Sequence, residues 1–356
     1  MSHTSRSPTR HRRPGATAAA LVFLFLPLLA PRLAWAGPAR TPVIVYTALE
    51  ADDLKKYKDA FEKDVPDVEI RWVRDSTGIV TAKLLAERED PQADVIWGLV
   101  ATSIVELDQE GLIEHYAPKG LEAIPARYRD PADPPSWVGM EALIATVCIN
   151  TIEAKKLGLP TPSSWKDLTQ PVFKGHVTMP DPNSSGVGLL NVASWLQAFG
   201  EEPGWAFMDA LDKNVSVYAH SGSKPCKDAA IGETAVGISF DSRGVRLKEK
   251  GAPLDLVFPS EGVGWDMDAT AIVKGSKHAA QAKQLADWAL THAANEIYTT
   301  GYAVVALPGV AKIPANEPAD IESRLIHNDF RWIGEHRKRI LAEWQKRYGS
   351  KSEKGE

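Results

Sequence analysis

Short β-branched runs that repeatedly hand over to helical stretches constrain this chain more than any other feature. "PVIVYTA" (Pro42–Ala48) precedes "DDLKKYKDAFEKD" (Asp52–Asp64), in which Leu54, Tyr57 and Phe61 share one helix face. "VEIRWVRD" (Val68–Asp75) feeds "IVTAKLLAERE" (Ile79–Glu89), and "ADVIWGL" (Ala93–Leu99) feeds "SIVELDQEG" (Ser103–Gly111), which its glycine ends. Successive βα units bury their apolar faces as parallel strands covered by helices, so the fold class is α/β with parallel-rich sheets.

The pattern is interrupted once. The Pro-rich stretch "RYRDPADPPSW" (Arg127–Trp137) leads into an apolar strand, "EALIATVCINT" (Glu141–Thr151), which reads as a crossing into a second domain. Alternation then resumes: "HVTMPDP" before "GVGLLNVASWLQAFG", "VSVYAHS" before "KDAAIGE", and "TAVGISFD" before "RGVRLKEKG". The run "LDLVFPSEGVGWDMDATAIV" (Leu254–Val273) is long enough to cross back. The rest, from "HAAQAKQLADWALTHAANEIY" to a basic C-terminal helix, is predicted helical and packed on the first domain. The expected division is residues 37–145 and 265–356 in the first lobe and 146–264 in the second.

The N-terminus carries a charged patch (Arg10, His11, Arg12, Arg13), an apolar run from Ala16 to Ala30, and Ala34-Trp35-Ala36. That is the pattern of a secretory signal peptide, residues 1–36, cleaved after Ala36. The run is shorter than the roughly 20 residues a spanning helix needs, and Pro27 and Pro31 interrupt or end it, so no membrane insertion is expected. Taking Arg6, Arg10, Arg12, Arg13 and Arg32 from the 41 basic residues leaves 36 against 46 acidic ones, a net charge of −10. Such a surface argues against nucleic acid or an anionic membrane as partner, so any anion site must be built locally. Cys148 and Cys226 are an even pair in an exported chain, either a disulfide or two buried thiols, with the oxidising compartment favouring the bridge. No Cys-x-x-Cys or His-rich spacing points to a metal, and no cofactor is expected.

Three strands end in small hydroxyl residues and glycine at a helix start: Ser76-Thr77-Gly78, Asn183-Ser184-Ser185-Gly186, and Gly222-Ser223-Lys224-Pro225. Each alone is an ordinary N-cap. Helix starts also carry unpaired N–H groups and partial positive charge, and the C-terminal ends of strands are where open α/β sheets bind ligands. The recurrence points to one shared anion site. Gly78, Gly186 and Gly222 would allow close backbone approach, and Lys224 would add charge.

The order "VYTALE … VRDSTGIVTAKLLAE … ADVIWG … GHVTMPDPNSSG … AVGISFDSRG … AIVKGSKHAAQAKQLADWAL" resembles the extracytoplasmic solute-binding proteins of ABC importers. It is similar to their ferric-ion-binding branch, and most to its 2-aminoethylphosphonate-binding members. The resemblance implies a two-lobed, type II periplasmic-binding-protein-like fold, two sheets joined by two crossing strands, and a ligand held in the cleft between the lobes. It also implies a periplasmic location, a monomer, and permease subunits as partners. Iron binders of the branch usually present a His after the first strand, a Glu after the second strand's Ser-Gly turn, and paired tyrosines after the strand that here reads "GISF". This chain has Ala48-Leu49-Glu50, Ile79, and Asp241-Ser242-Arg243 instead. Without phenolate oxygens, ferric ion is a poor fit.

A zwitterion such as aminoethylphosphonate needs hydroxyls and N–H groups at one end and acids or aromatics at the other. The expected ligand residues are therefore Tyr46, Thr47, Ser76, Thr77, Trp97, Ser184, Ser185, Gly186, Ser221, Ser223, Asp241 and Asp266. Tyr46 and Trp97 would face the ammonium, and Asp241, Asp266 and Asp268 would pair with it. Related phosphonates, other small anions or zwitterions, and ferric ion are the alternatives. A secreted hydrolase is the alternative from another class, but no Gly-x-Ser-x-Gly elbow, His-Glu-x-x-His helix or phosphate-binding Gly-Lys-Ser loop occurs, so no enzyme is expected.

Overall fold

The computed structural model describes residues 40–354, so the signal-peptide reading of residues 1–36 lies outside the described residues. The three predicted βα units are present: β1 (Thr41–Thr47) with α1 (Ala51–Asp64), β2 (Val68–Arg74) with α2 (Thr77–Ala86), and β3 (Val95–Val100) with α3 (Ala101–Gln109). Strand β1 lies between β2 and β3 and runs parallel to both. After the short β4 (Ile113–Glu114) comes β5 (Val138–Asn150), buried along its whole length.

Strand β5 belongs to both sheets. Its first half pairs with β10 (Trp265–Val273), which joins it to β3, and its second half pairs with β8 (Val236–Phe240) and β9 (Leu254–Val257). Between them run α4 (Thr151–Leu157), β6 (Val177–Pro180), α5 (Gly186–Phe199), α6 (Glu201–Asp212), β7 (Val215–Ala219), α7 (Lys224–Ile231) and α8 (Asp241–Glu249). Strand β6 lies parallel to both β7 and β8. Residues 258–264 carry the chain back from β9 to β10, so the return crossing is strand, loop, strand. This is the predicted α/β, two-lobed arrangement with two crossings.

Local signals explain the element ends. Asn150 caps α4 by accepting from the N–H groups of Ile152 and Glu153, and Gly158 ends it at φ 67°. Helices cover both faces of the sheets, so the central strands are buried on both sides. The disulfide Cys148–Cys226 ties β5 to α7, and both cysteines are fully buried.

After β10 come α9 (Ala279–Ala289), α10 (His292–Tyr298), α11 (Ile321–Arg324) and α12 (Phe330–Tyr348). Here the expectation of packing on the first lobe needs correction, because α12 packs on both. Its first half lies on α3, with Gly334 against Val105 and Arg337 paired to Glu106 at 2.8 Å. Its second half lies on the second lobe, where Trp344 meets the Tyr218 ring at 4.8 Å and the Tyr348 hydroxyl donates to Asp209 at 2.7 Å. The buried residues Ile333, Arg337, Ile340, Trp344 and Tyr348 form one stripe, and at 1.5 Å per residue a helix of 19 residues is long enough to reach both bodies. Among the described residues no helix is long and apolar enough to cross a membrane.

Candidate functional site

The lobes meet at the predicted helix starts. The Gly78 N–H, in the first turn of α2, donates to the Ser184 carbonyl of the second lobe at 2.9 Å. The start of α5 faces α2 so closely that a Cβ on Gly186 would fall 2.8 Å from Thr77 Oγ1. Side by side with these contacts lies a narrow cleft of about 40 Å3. It is lined by Ser76 and Thr77 from one lobe and by Ser185, Gly186, Val187, Ser221 and Gly222 from the other.

The capping role divides these hydroxyls. Ser185 caps its helix, accepting from the Gly188 N–H at 3.3 Å, whereas Ser76, at the N-cap position of α2, makes no side-chain capping bond. The Ser185 carbonyl takes the Leu189 N–H, which leaves the Gly186 and Val187 amides on the cleft without a partner among the described residues. Two helix starts therefore offer hydroxyls and N–H groups to one small space, the arrangement that seats an anion.

Of the other residues on the wall, Asp268 was expected to pair with an ammonium, whereas Arg74, Glu50 and Tyr302 were not anticipated from sequence. Arg74, whose Nε donates to the Leu49 carbonyl at 3.0 Å, brings a guanidinium, and Glu50 and Asp268 bring carboxylates. Glu50 is paired by Arg243 and, at 3.6 Å, by Lys227, both from the second lobe. A further cross-lobe pair joins Arg246 to Asp53 at 2.8 Å. Leu143, Phe240 and Tyr302 supply apolar wall. Arg74 sits two residues before Ser76 and Glu50 three after Thr47, so their place beside the motif was a usable signal. Tyr302 follows α10, far along the chain, and had none.

Several expected ligand residues lie elsewhere. Trp97 is fully buried in an aromatic core, stacked on Trp72 at 5.3 Å and donating its Nε1–H to the Tyr298 hydroxyl at 3.1 Å. Tyr46 is buried and donates to Glu87 at 2.9 Å, and Thr47 Oγ1 accepts the Leu49 N–H at 3.1 Å. The reason is common to all three: both sheet faces are covered, so a strand-end aromatic or hydroxyl is enclosed. Ser184 donates to the His220 carbonyl at 2.7 Å, and Ser223 is buried at the start of α7.

Asp241 and Asp266 are buried beneath the cleft wall. Asp241 Oδ1 accepts the Ile144 N–H at 3.1 Å, and burial pushes its carboxyl up to about 7 against the lowering effect of that backbone bond. Asp266 accepts from Thr102 Oγ1 at 2.5 Å and from its neighbour's N–H, and burial likewise raises it to about 7. The acid that reaches the cleft is Asp268, two residues along β10 from Asp266 and on the same strand face.

Comparison with known proteins agrees with this geometry. Residues 90–337 match the family model of bacterial extracellular solute-binding proteins. The chain belongs to that family. It is 32% identical to an uncharacterized protein of Haemophilus influenzae, over 89% of this chain and 94% of the relative. It is 25% identical to a probable ABC transporter periplasmic-binding protein of Sinorhizobium fredii (62% of each chain), and 25% identical to a putative 2-aminoethylphosphonate-binding periplasmic protein of Salmonella paratyphi A (44% of this chain, 43% of the relative). Among solved structures it is similar to the periplasmic binding protein AfuA of Actinobacillus pleuropneumoniae with fructose 6-phosphate bound, at 31% identity and a TM-score of 0.81, covering 87% of this chain and 99% of that one. This family member is thus a solute-binding component of the ABC-transporter type, with a periplasmic setting and permease subunits as partners.

Proposed function

We propose that the cleft captures a small organophosphoryl compound, either a phosphonate such as 2-aminoethylphosphonate or a phosphate monoester, and that the closed protein presents it to the permease. The observation that carries this reading is the convergence of two helix starts, with the uncapped Ser76, Thr77 and the unpartnered Gly186 and Val187 amides, on a cleft that also holds Arg74. Hydroxyls, N–H groups and one guanidinium suit the tetrahedral oxygens of a phosphoryl group. The carboxylates of Glu50 and Asp268 share the same space and suit a ligand whose other end donates hydrogen bonds, as ammonium and sugar hydroxyls both do. The names carried by the Salmonella relative and by the fructose 6-phosphate complex support the same chemical class.

A thermal-shift and calorimetric panel tests it: 2-aminoethylphosphonate, an alkylphosphonate, fructose 6-phosphate, inorganic phosphate, a polyamine and ferric ion. A ligand that binds only the folded state raises the melting temperature by mass action. The reading expects organophosphoryl compounds to raise it more than phosphate or polyamine, with no loss of phosphoryl group or amine from the ligand on incubation. Stoichiometric ferric binding without a phosphoryl response would replace the reading with the iron alternative.

A further inference from the structure

Asp268 is a carboxylate on the cleft wall for which the structure supplies no counter-charge among the described residues. It is 4% exposed, it lines the cleft, and among the described residues its side chain makes no hydrogen bond or ion pair. Acids surround it. Asp266 precedes it on β10, Glu141 lies opposite it in register on β5, and Glu50 and Asp53 approach from the start of α1. Glu141 itself keeps one oxygen, Oε2, without a partner, its other oxygen accepting from the Tyr57 hydroxyl at 3.2 Å.

The nearby cations are committed to other acids: Arg243 to Glu50, and Arg246 with Lys56 to Asp53 at 2.8 Å each. Arg74 reaches the cleft from β2 but is bonded to the Leu49 carbonyl. Tyr302, whose ring lies under the Arg246 guanidinium at 5.4 Å, completes the enclosure as a neutral phenol. Burial and the charge of Asp266, Glu50 and Asp53 push the Asp268 carboxyl up to about 8, and burial together with the charge of Asp268 lifts Glu141 well above the usual carboxylate range.

We propose that Asp268 reads the non-phosphoryl end of the ligand, and that it holds a proton in the closed cleft unless a cationic ligand group takes the proton's place. Capture of a hydroxyl-bearing ligand is then accompanied by proton uptake at Asp268, whereas capture of an amine-bearing ligand is not. Lobe closure completes the coupling, since Arg243 and Arg246 come from the second lobe, while the acids that crowd Asp268 (Asp266, Glu141, Glu50 and Asp53) all belong to the first lobe and hold part of its raised proton affinity in the ligand-free protein. The inference rests on the organophosphoryl reading for its ligands, but the proton on Asp268 is testable without them.

Two experiments on the full chain and on Asp268→Asn decide the matter. In calorimetric titrations at pH 7.5, in buffers of different ionisation enthalpy, capture of fructose 6-phosphate should take up a measurably larger fraction of a proton per site with the unmodified protein than with Asp268→Asn. 2-Aminoethylphosphonate should show no such difference and should lose at least tenfold in affinity in the variant. In ligand-free melting from pH 5 to 8.5, the unmodified protein should lose stability more steeply than Asp268→Asn, because the folded state holds a proton that the unfolded chain releases near pH 4. Glu141→Gln, which removes the neighbouring charge and keeps Asp268, should flatten the slope in the same direction. Equal proton counts and parallel melting slopes would overturn the proposal. If neither ligand binds while the slopes differ, the organophosphoryl reading falls and the buried proton on Asp268 stands.

Discussion

A single methyl group at Gly78 would collide with the Asn183 carbonyl across the cleft, and at Gly186 with Thr77. Neither residue has a left-handed φ, so glycine serves close approach: of two backbones at Gly78, and of the Thr77 side chain to the backbone at Gly186. Gly78→Ala is therefore expected to hold the lobes apart and lower ligand affinity at least tenfold. The melting temperature should stay nearly unchanged, because each lobe keeps its own core. Calorimetry and thermal melting on the same preparation check both halves of this expectation. Trp97 makes the opposite case. It stacks on Trp72 and meets Trp288 edge-on at 5.7 Å, so Trp97→Ala should cost about 3–5 kcal/mol of stability in denaturant titration. Any surviving folded protein should keep its ranking of amine-bearing and amine-free ligands. A selective loss of the amine-bearing ligand would return Trp97 to the cleft.

Among the elements, β5 and α12 decide how the lobes are joined. Strand β5 pairs with β10 over one half and with β8 and β9 over the other, so it is the rigid bar on which both sheets hang. The disulfide fastens its second half to α7, the helix that follows the Ser221-Gly222-Ser223 turn of the cleft wall. With 78 positions between the cysteines, chain entropy assigns the bridge about 4.5 kcal/mol as an upper figure. Reduction should lower the melting temperature, and non-reducing peptide mapping should recover Cys148 joined to Cys226. Free alkylation of both thiols in exported protein would contradict this. Helix α12 adds a tie that the alternation of βα units does not foretell, through Arg337 on the first lobe and Trp344 and Tyr348 on the second.

For the molecule as a whole, two behaviours follow. The anion seats come from both lobes, and Arg243–Glu50, Arg246–Asp53 and the Gly78–Ser184 bond form only when they meet. Ligand should thus shift the population toward the closed form by hinge motion at the crossings. Solution scattering should contract on saturation, and identical profiles would remove the hinge from the mechanism. Stability should also fall as pH rises. Asp241, Asp266, Asp268 and Glu317 are raised to about 7, 7, 8 and 9, burial being the first cause in each, so the folded state binds more protons than the unfolded one between about pH 4 and these values. The penalty is absent below the unfolded values and complete above the folded ones, and melting from pH 5 to 9 measures it. A flat profile would show that these carboxyls are ionised in the folded protein.

The amino-acid sequence by itself determined the α/β class, the two-lobed arrangement and the helix starts that meet in the cleft. Each of these follows from local periodicity or from residues adjacent in the chain, such as Ser76-Thr77-Gly78 and Ser185-Gly186. Burial was not local, and only the tertiary structure decided it. A strand covered on both faces encloses its side chains, so Tyr46 near the end of β1, Trp97 within β3 and Asp266 near the start of β10 are inside. Asp268 reaches the cleft because register on β5 and β10 places it there, and Arg74, Glu50 and Tyr302 join it from segments up to 252 positions apart. Charge pairing was decided the same way: which acid is left without a cation depends on Arg243 and Arg246 crossing from the second lobe, a relation between bodies that no run of residues contains.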